Sequence, residues 1–143
     1  FACTGNSARS PIAEAFLRRQ TAGRVDVASA GSHPKPRLHP AAVRVLREEY
    51  DIDIGEQSPR SLDTLTGRRF DHIITLCDKV REICPELPHH PRRAHWSIPD
   101  PVTSDRPGNP GYQAFRDTAA EINARVRHLL PVLAQPTDME VRP

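Results

Sequence analysis

Phe1-Ala-Cys-Thr-Gly-Asn-Ser-Ala-Arg-Ser10 is the stretch around which the fold is organised. Phe1 and Ala2 read as the end of a buried strand, Cys3 to Arg9 as a tight polar loop, and Ser10 as the start of a helix. The residues between Cys3 and Arg9, which are Thr4, Gly5, Asn6, Ser7 and Ala8, are small or polar. Successive backbone N–H groups of such a loop can curl around one oxyanion. Ser10-Pro11 suits a helix start, with a hydroxyl cap followed by proline at the first helical position. The Ser10 hydroxyl can also donate to the Cys3 sulfur, and one residue can do both. Asn6 suits the loop's strained turn, because Asn tolerates left-handed dihedrals and bonds its own backbone. An anion held here meets loop amides, a helix N-terminus and the Arg9 guanidinium together, surroundings that also favour the thiolate form of Cys3.

A chain of 143 residues fits one domain that buries about two-thirds of its unfolded surface, without needing a disulfide or metal staple. Fifteen prolines and a hydrophobic fraction of 37% predict long, stiff connections. The net charge of +2 lacks an arginine-rich run of the nucleic-acid-binding kind and better suits a small anionic substrate. Three cysteines, an odd number, argue against a secreted disulfide scaffold and leave thiols for chemistry. No stretch is long and apolar enough to span a membrane and no secretory leader is visible, so a cytoplasmic protein is expected. Two residues before Cys3 are too few for the strand that such a loop follows. Most of that first strand is therefore expected to lie outside these residues, either because the domain is cut from something longer or because an upstream portion was lost.

Beyond the loop, residues 11–20 read as an amphipathic helix carrying Ile12, Ala13, Phe16 and Leu17. Val25 to Ala30 reads as a strand that Gly31 turns out of, and His33 to Pro40 as an irregular wall of the pocket mouth. A second helix spans 40–50 with Val43, Leu46 and Tyr50 on one face. Residues 51–54 form an extended connection before a short helix at 61–67. His72 to Cys77 is the clearest strand, with apolar and β-branched residues suited to burial on both faces. A short helical segment at 78–83 stops at Pro85, a last strand covers 94–98, and a final helix runs from 112 to 130. The pattern predicts an α/β domain over residues 1–134 with a tail at 135–143, built on a small four-stranded parallel sheet flanked by helices. Ligands of such sheets bind beyond the strand C-termini, where Cys3, Cys77 and Asp100 all fall.

These positions allow in-line attack by a Cys3 thiolate on a tetrahedral oxyanion, with loop amides and Arg9 meeting its charge. Asp100, stiffened by Pro99 and Pro101, can serve as general acid on the leaving oxygen or be an ordinary turn residue. Cys77 and Cys84 are seven residues apart, about 10 Å along a helix, whereas a disulfide needs Cα atoms within about 7 Å. They can pair only if the 78–83 segment unwinds. They are otherwise two inert thiols, although a reactive Cys3 nearby makes a thiol relay the sharper account. The seven histidines show no metal-ligand spacing, so no metal is expected. Trp96 and Phe115 read as core or pocket wall.

Cys3-Thr-Gly-Asn-Ser-Ala-Arg-Ser-Pro-Ile-Ala-Glu14 resembles the low-molecular-weight protein tyrosine phosphatase superfamily. Thr75-Leu-Cys-Asp78, Ile83-Cys-Pro85 and His95-Trp96 followed by Asp100-Pro101 resemble its arsenate reductase branch, which is coupled to thioredoxin or a related thiol system. The resemblance implies that Cys3 attacks arsenate, Arg9 and the loop hold its oxygens, and Asp100 protonates the departing oxygen. Cys77 would then attack Cys3 and release arsenite, Cys84 would resolve the disulfide onto a Cys77–Cys84 bridge, and an external redoxin would reduce it. No bound cofactor is implied. Relatives with a potassium site use a carboxylate where this chain places Arg60, while Asn6, Glu14 and Ser29 match the rest of that site. Ala8 stands where relatives often carry another cysteine. The short first strand is similar to chains in which such a domain follows an ArsR-like DNA-binding regulator, although no DNA-binding pattern lies in these residues; an isolated domain is expected to be monomeric. Two other functions are compatible with the loop. One is phosphomonoester hydrolysis, weakened for phosphotyrosine by the lack of aromatics in 100–106; the other is oxyanion sensing without turnover.

Overall fold

Ala2 and Cys3 are almost completely buried, and their small side chains let the backbone pass through the centre of the sheet. The computed structural model describes residues 1–65, 67–77, 92–101 and 111–134. In these, β1 (Ala2–Cys3), β2 (Ala30–Gly31), β3 (His72–Thr75) and β4 (Arg92–His95) form one sheet in the order β2-β1-β3-β4. Every pairing is parallel. The four-stranded parallel sheet expected from the sequence is therefore present, with β1 interior and β4 at one edge. Helices α1 (Arg9–Gln20), α2 (Pro40–Tyr50) and α3 (Gly111–Ala134) accompany it, with a 3-10 turn at Leu62–Leu65 in place of the short helix expected at 61–67.

The strand boundaries differ from the sequence reading for identifiable reasons. Only Ala30 and Gly31 form β2, because the ladder reaches only as far as β1 does; the Ala30 N–H still donates to the Phe1 carbonyl at 3.1 Å. Gly31 thus belongs to the strand it was expected to leave. β4 lies earlier than 94–98, since its register with β3 runs from His72↔Arg92 to Thr75↔His95. An edge strand has one side in solvent and so carries Arg92 and Arg93, which an apolar pattern cannot reveal. Trp96 and Ile98 continue the hydrogen bonding past the strand, donating to the carbonyls of Thr75 (2.8 Å) and Leu76 (3.2 Å).

Helix α1 is buried from Ser10 through Leu17, because it contacts both β1 and α3. It starts at Arg9, so Ser10 is inside the first turn and does not cap the helix. Pro11 is tolerated there because the first-turn N–H groups have no helical partner. On α2 the buried face is Ala42, Val45 and Leu46, while Val43 and Tyr50 flank it, so the helix is rotated slightly from the expected face. Helix α3 extends through Pro131 to Ala134 and buries Phe115, Ala119, Ile122, Val126 and Leu129. The predicted helical segment at 78–83 and the tail at 135–143 lie outside the described residues.

His39 starts α2, and its Nδ1 accepts from the Ala41 N–H at 3.1 Å. Its ring stacks on Phe115 at 4.6 Å, joining α2 to α3. His39→Ala removes cap and stack together, and should lower the unfolding free energy by about 1–2 kcal/mol in urea titrations. His39→Asn, which can still cap, should lose less.

Candidate active site

The Cys3–Arg9 loop owes its shape to a strap, residues 32–39, that takes up its carbonyls. The N–H groups of Ser32, His33, Lys35 and His39 donate to the carbonyls of Cys3 (3.2 Å), Thr4 (2.8 Å), Gly5 (2.9 Å) and Ser7 (2.9 Å). Backbone carbonyls turned outward in this way leave amides for the inside of a loop. The Asn6 N–H is 3.3 Å from Cys3 Sγ. Among the described residues no hydrogen bond takes up the N–H groups of Gly5, Ser7 or Ala8.

Asn6 is the internal brace. Its φ of 49° is left-handed, where Asn is tolerated better than most side chains. Its Nδ2 donates to Ser10 Oγ (2.8 Å) and Ser29 Oγ (3.0 Å), while its Oδ1 accepts from the Arg60 N–H (2.8 Å). Ser10 Oγ lies 2.8 Å from Cys3 Sγ. Because Ser10 already accepts from Asn6, its own proton is available to the sulfur. A hydroxyl and an amide N–H thus converge on Sγ. Of the two roles weighed for Ser10, the sulfur contact is present and the cap is not.

Gly31 closes this arrangement from β2. A Cβ there would come within 2.5 Å of the Thr4 carbonyl oxygen and 2.9 Å of the Asn6 nitrogen, so the glycine is required by space. Its N–H donates to the Arg60 carbonyl at 2.9 Å.

Arg9, with a side chain 11% exposed, donates from Nη1 to the Ile98 carbonyl (3.0 Å) and brings Nη2 to 3.8 Å from Asp100 Oδ2. The segment following β4 thereby delivers Asp100, 40% exposed, to the helix end of the loop. Cys77 follows β3, the neighbour of β1, and its Sγ lies 3.0 Å from Thr4 Oγ1. Cys3 and Cys77 are both buried and unpaired. The structure therefore brings Cys3, Arg9, Cys77 and Asp100 to one end of the sheet. Cys84 lies outside the described residues. Sequence reasoning did not single out the Thr4–Cys77 contact or the tight approach of Gly31, since both arise between strands distant in sequence.

Residues 1–139 match the low molecular weight phosphotyrosine protein phosphatase family. The chain belongs to that family. An arsenate reductase from Brevibacillus brevis is 37% identical over 127 residues, covering 89% of each chain. The crystal structure of an Archaeoglobus fulgidus arsenate reductase superposes with a TM-score of 0.73 at 30% identity, over 92% of this chain and 97% of that one. The Corynebacterium glutamicum thioredoxin-dependent arsenate reductase does so with a TM-score of 0.72 at 29% identity, over 94% of this chain and 61% of that one.

Arg60, expected where relatives with a potassium site carry a carboxylate, has an exposed side chain and, among the described residues, meets the site through its backbone only. Glu14 is buried and paired with Arg18 at 3.4 Å. No helix among the described residues is long and apolar enough to cross a membrane.

The Gly31 contact is open to a direct check. Gly31→Ala should lower stability by about 1–3 kcal/mol, because backbone atoms must move. It should also abolish phosphate binding measured calorimetrically, whereas Gly67→Ala, with nothing within 4 Å, should leave both unchanged.

Proposed function

We propose that this protein is an arsenate reductase working by a three-cysteine relay. The observation that carries the reading is the contact between Cys77 Sγ and Thr4 Oγ1, 3.0 Å, which stations a second thiol beside the nucleophile's loop. Hydrolysis of a phosphomonoester needs Cys3, Arg9 and Asp100 and has no use for it.

The reaction begins with the Cys3 thiolate forming an S–As bond as one arsenate oxygen leaves, protonated by Asp100, with loop amides and Arg9 meeting the charge of the others. The Cys77 thiolate next attacks Cys3 Sγ. A Cys3–Cys77 disulfide forms, the S–As bond breaks, and its electron pair goes to arsenic, which leaves as arsenite. Cys84 then attacks Cys77, freeing Cys3 and leaving a Cys77–Cys84 disulfide. An external dithiol, thioredoxin-like or of low molecular weight, returns that bridge to two thiols. Two electrons and two protons thus pass from the reductant to arsenate, yielding arsenite and water. The relatives named arsenate reductase, one of them thioredoxin-dependent, support this assignment. A compartment that keeps thiols reduced, the cytoplasm, suits it.

The test is arsenate reduction with thioredoxin, thioredoxin reductase and NADPH. Cys3→Ser should abolish it. Cys84→Ser should release at most one arsenite per chain and then stop, while sustained turnover by Cys84→Ser would refute the relay. Thr4→Val should slow arsenite release in a single turnover about tenfold by freeing the Cys77 thiol from its hydrogen-bonded position. It should leave the rate of Cys3 alkylation within about twofold.

A further inference from the structure

We propose that Lys35 is the outer cation of the oxyanion site, which captures the anion at the rim before the loop and Arg9 take it up. The proposal rests on the reading of the Cys3–Arg9 loop as an oxyanion cradle and adds a residue to it.

Lys35 is attached to the loop twice. Its backbone N–H donates to the Gly5 carbonyl at 2.9 Å. Its side chain then folds back over the same residue, since a Cβ on Gly5 would lie 3.2 Å from Lys35 Cγ and 3.3 Å from Lys35 Cε. The aliphatic stem therefore lies across Gly5 from Cγ to Cε, in space that the glycine leaves open. The ammonium is one bond farther on, within about 7 Å of the Gly5 backbone. Pro34 and Pro36 flank Lys35 and stiffen its attachment.

The charge is placed differently from that of Arg9. Arg9 is largely buried and engaged with the Ile98 carbonyl and Asp100, so it can orient an anion already seated. Lys35 is exposed, and among the described residues no carboxylate pairs with it, unlike Arg18, Arg44 or Arg116. A stem held on the loop with an ammonium in water is how lysine covers a surface while keeping its charge solvated. Such a charge attracts a dianion more than a monoanion and acts mainly on capture, with an effect that salt screens.

Protection of Cys3 by inorganic phosphate tests this without requiring turnover. The full chain is treated with iodoacetamide in rising phosphate, and modification of the Cys3 peptide is followed by mass spectrometry, each variant normalised to its own phosphate-free rate. Lys35→Met keeps the stem and removes the charge. It should need about three to ten times more phosphate for half-protection at about 10 mM ionic strength, with the gap closing at about 0.5 M NaCl. Lys35→Arg should stay within about twofold of the parent. Equal half-protection in Lys35→Met, an equal loss in Lys35→Arg, or a gap that persists at high salt would each overturn the proposal. If the Cys84→Ser experiment failed while phosphate protection still depended on Lys35, the relay would fall and this assignment would stand. The converse result would remove Lys35 alone.

Discussion

The structure depends on the hydrogen bonds between the loop carbonyls and the strap that follows β2. A loop of seven residues has as many acceptors as donors, and an anion can be bound only if the two kinds of group are sorted to opposite sides. The N–H groups of Ser32, His33, Lys35 and His39 do that sorting by engaging the carbonyls of Cys3, Thr4, Gly5 and Ser7. Prolines between them remove N–H groups at positions 34 and 36 and stiffen the strap. The rest of the site follows from that constraint: Asn6 enters the left-handed region and braces Ser10 and Ser29, and Gly31 keeps clear of the loop backbone.

Sulfur chemistry enters through sheet order. β3 lies beside β1, so the chain leaving β3 runs next to the loop leaving β1, and Cys77 meets Thr4. A parallel sheet delivers the ends of sequence-distant strands to the same edge. This is how a thiol at position 3, a second thiol at 77 and a carboxylate at 100 come to one end of the sheet. Arg9 joins the last of these to the first through Ile98 and Asp100.

Legibility in the sequence followed burial and locality. The helices α1, α2 and α3 were readable because one face of each repeats at helical spacing, and β3 because its run is apolar. β4 was misplaced because an edge strand need not be apolar, and β2 was overextended because its length is set by its partner. The role of Ser10 shows the same limit at the site. Its sequence context fits a cap, but its hydroxyl is drawn to Cys3 and Asn6 once the helix begins two residues earlier, at Arg9.

What the sequence determined by itself was local chemistry: a thiol six residues before an arginine, short residues between them, and a helix directly following the loop. These features act through neighbouring backbone atoms, so their spacing along the chain is enough to define them. Only the tertiary structure decided which carbonyls the strap engages, that Gly31 has no room for a Cβ, that Cys77 stands against Thr4, and that Lys35 folds over Gly5. Each of these is a contact between segments separated by at least 25 positions in the chain. Such contacts depend on strand order and register, which result from packing the whole core and are not carried by any one stretch.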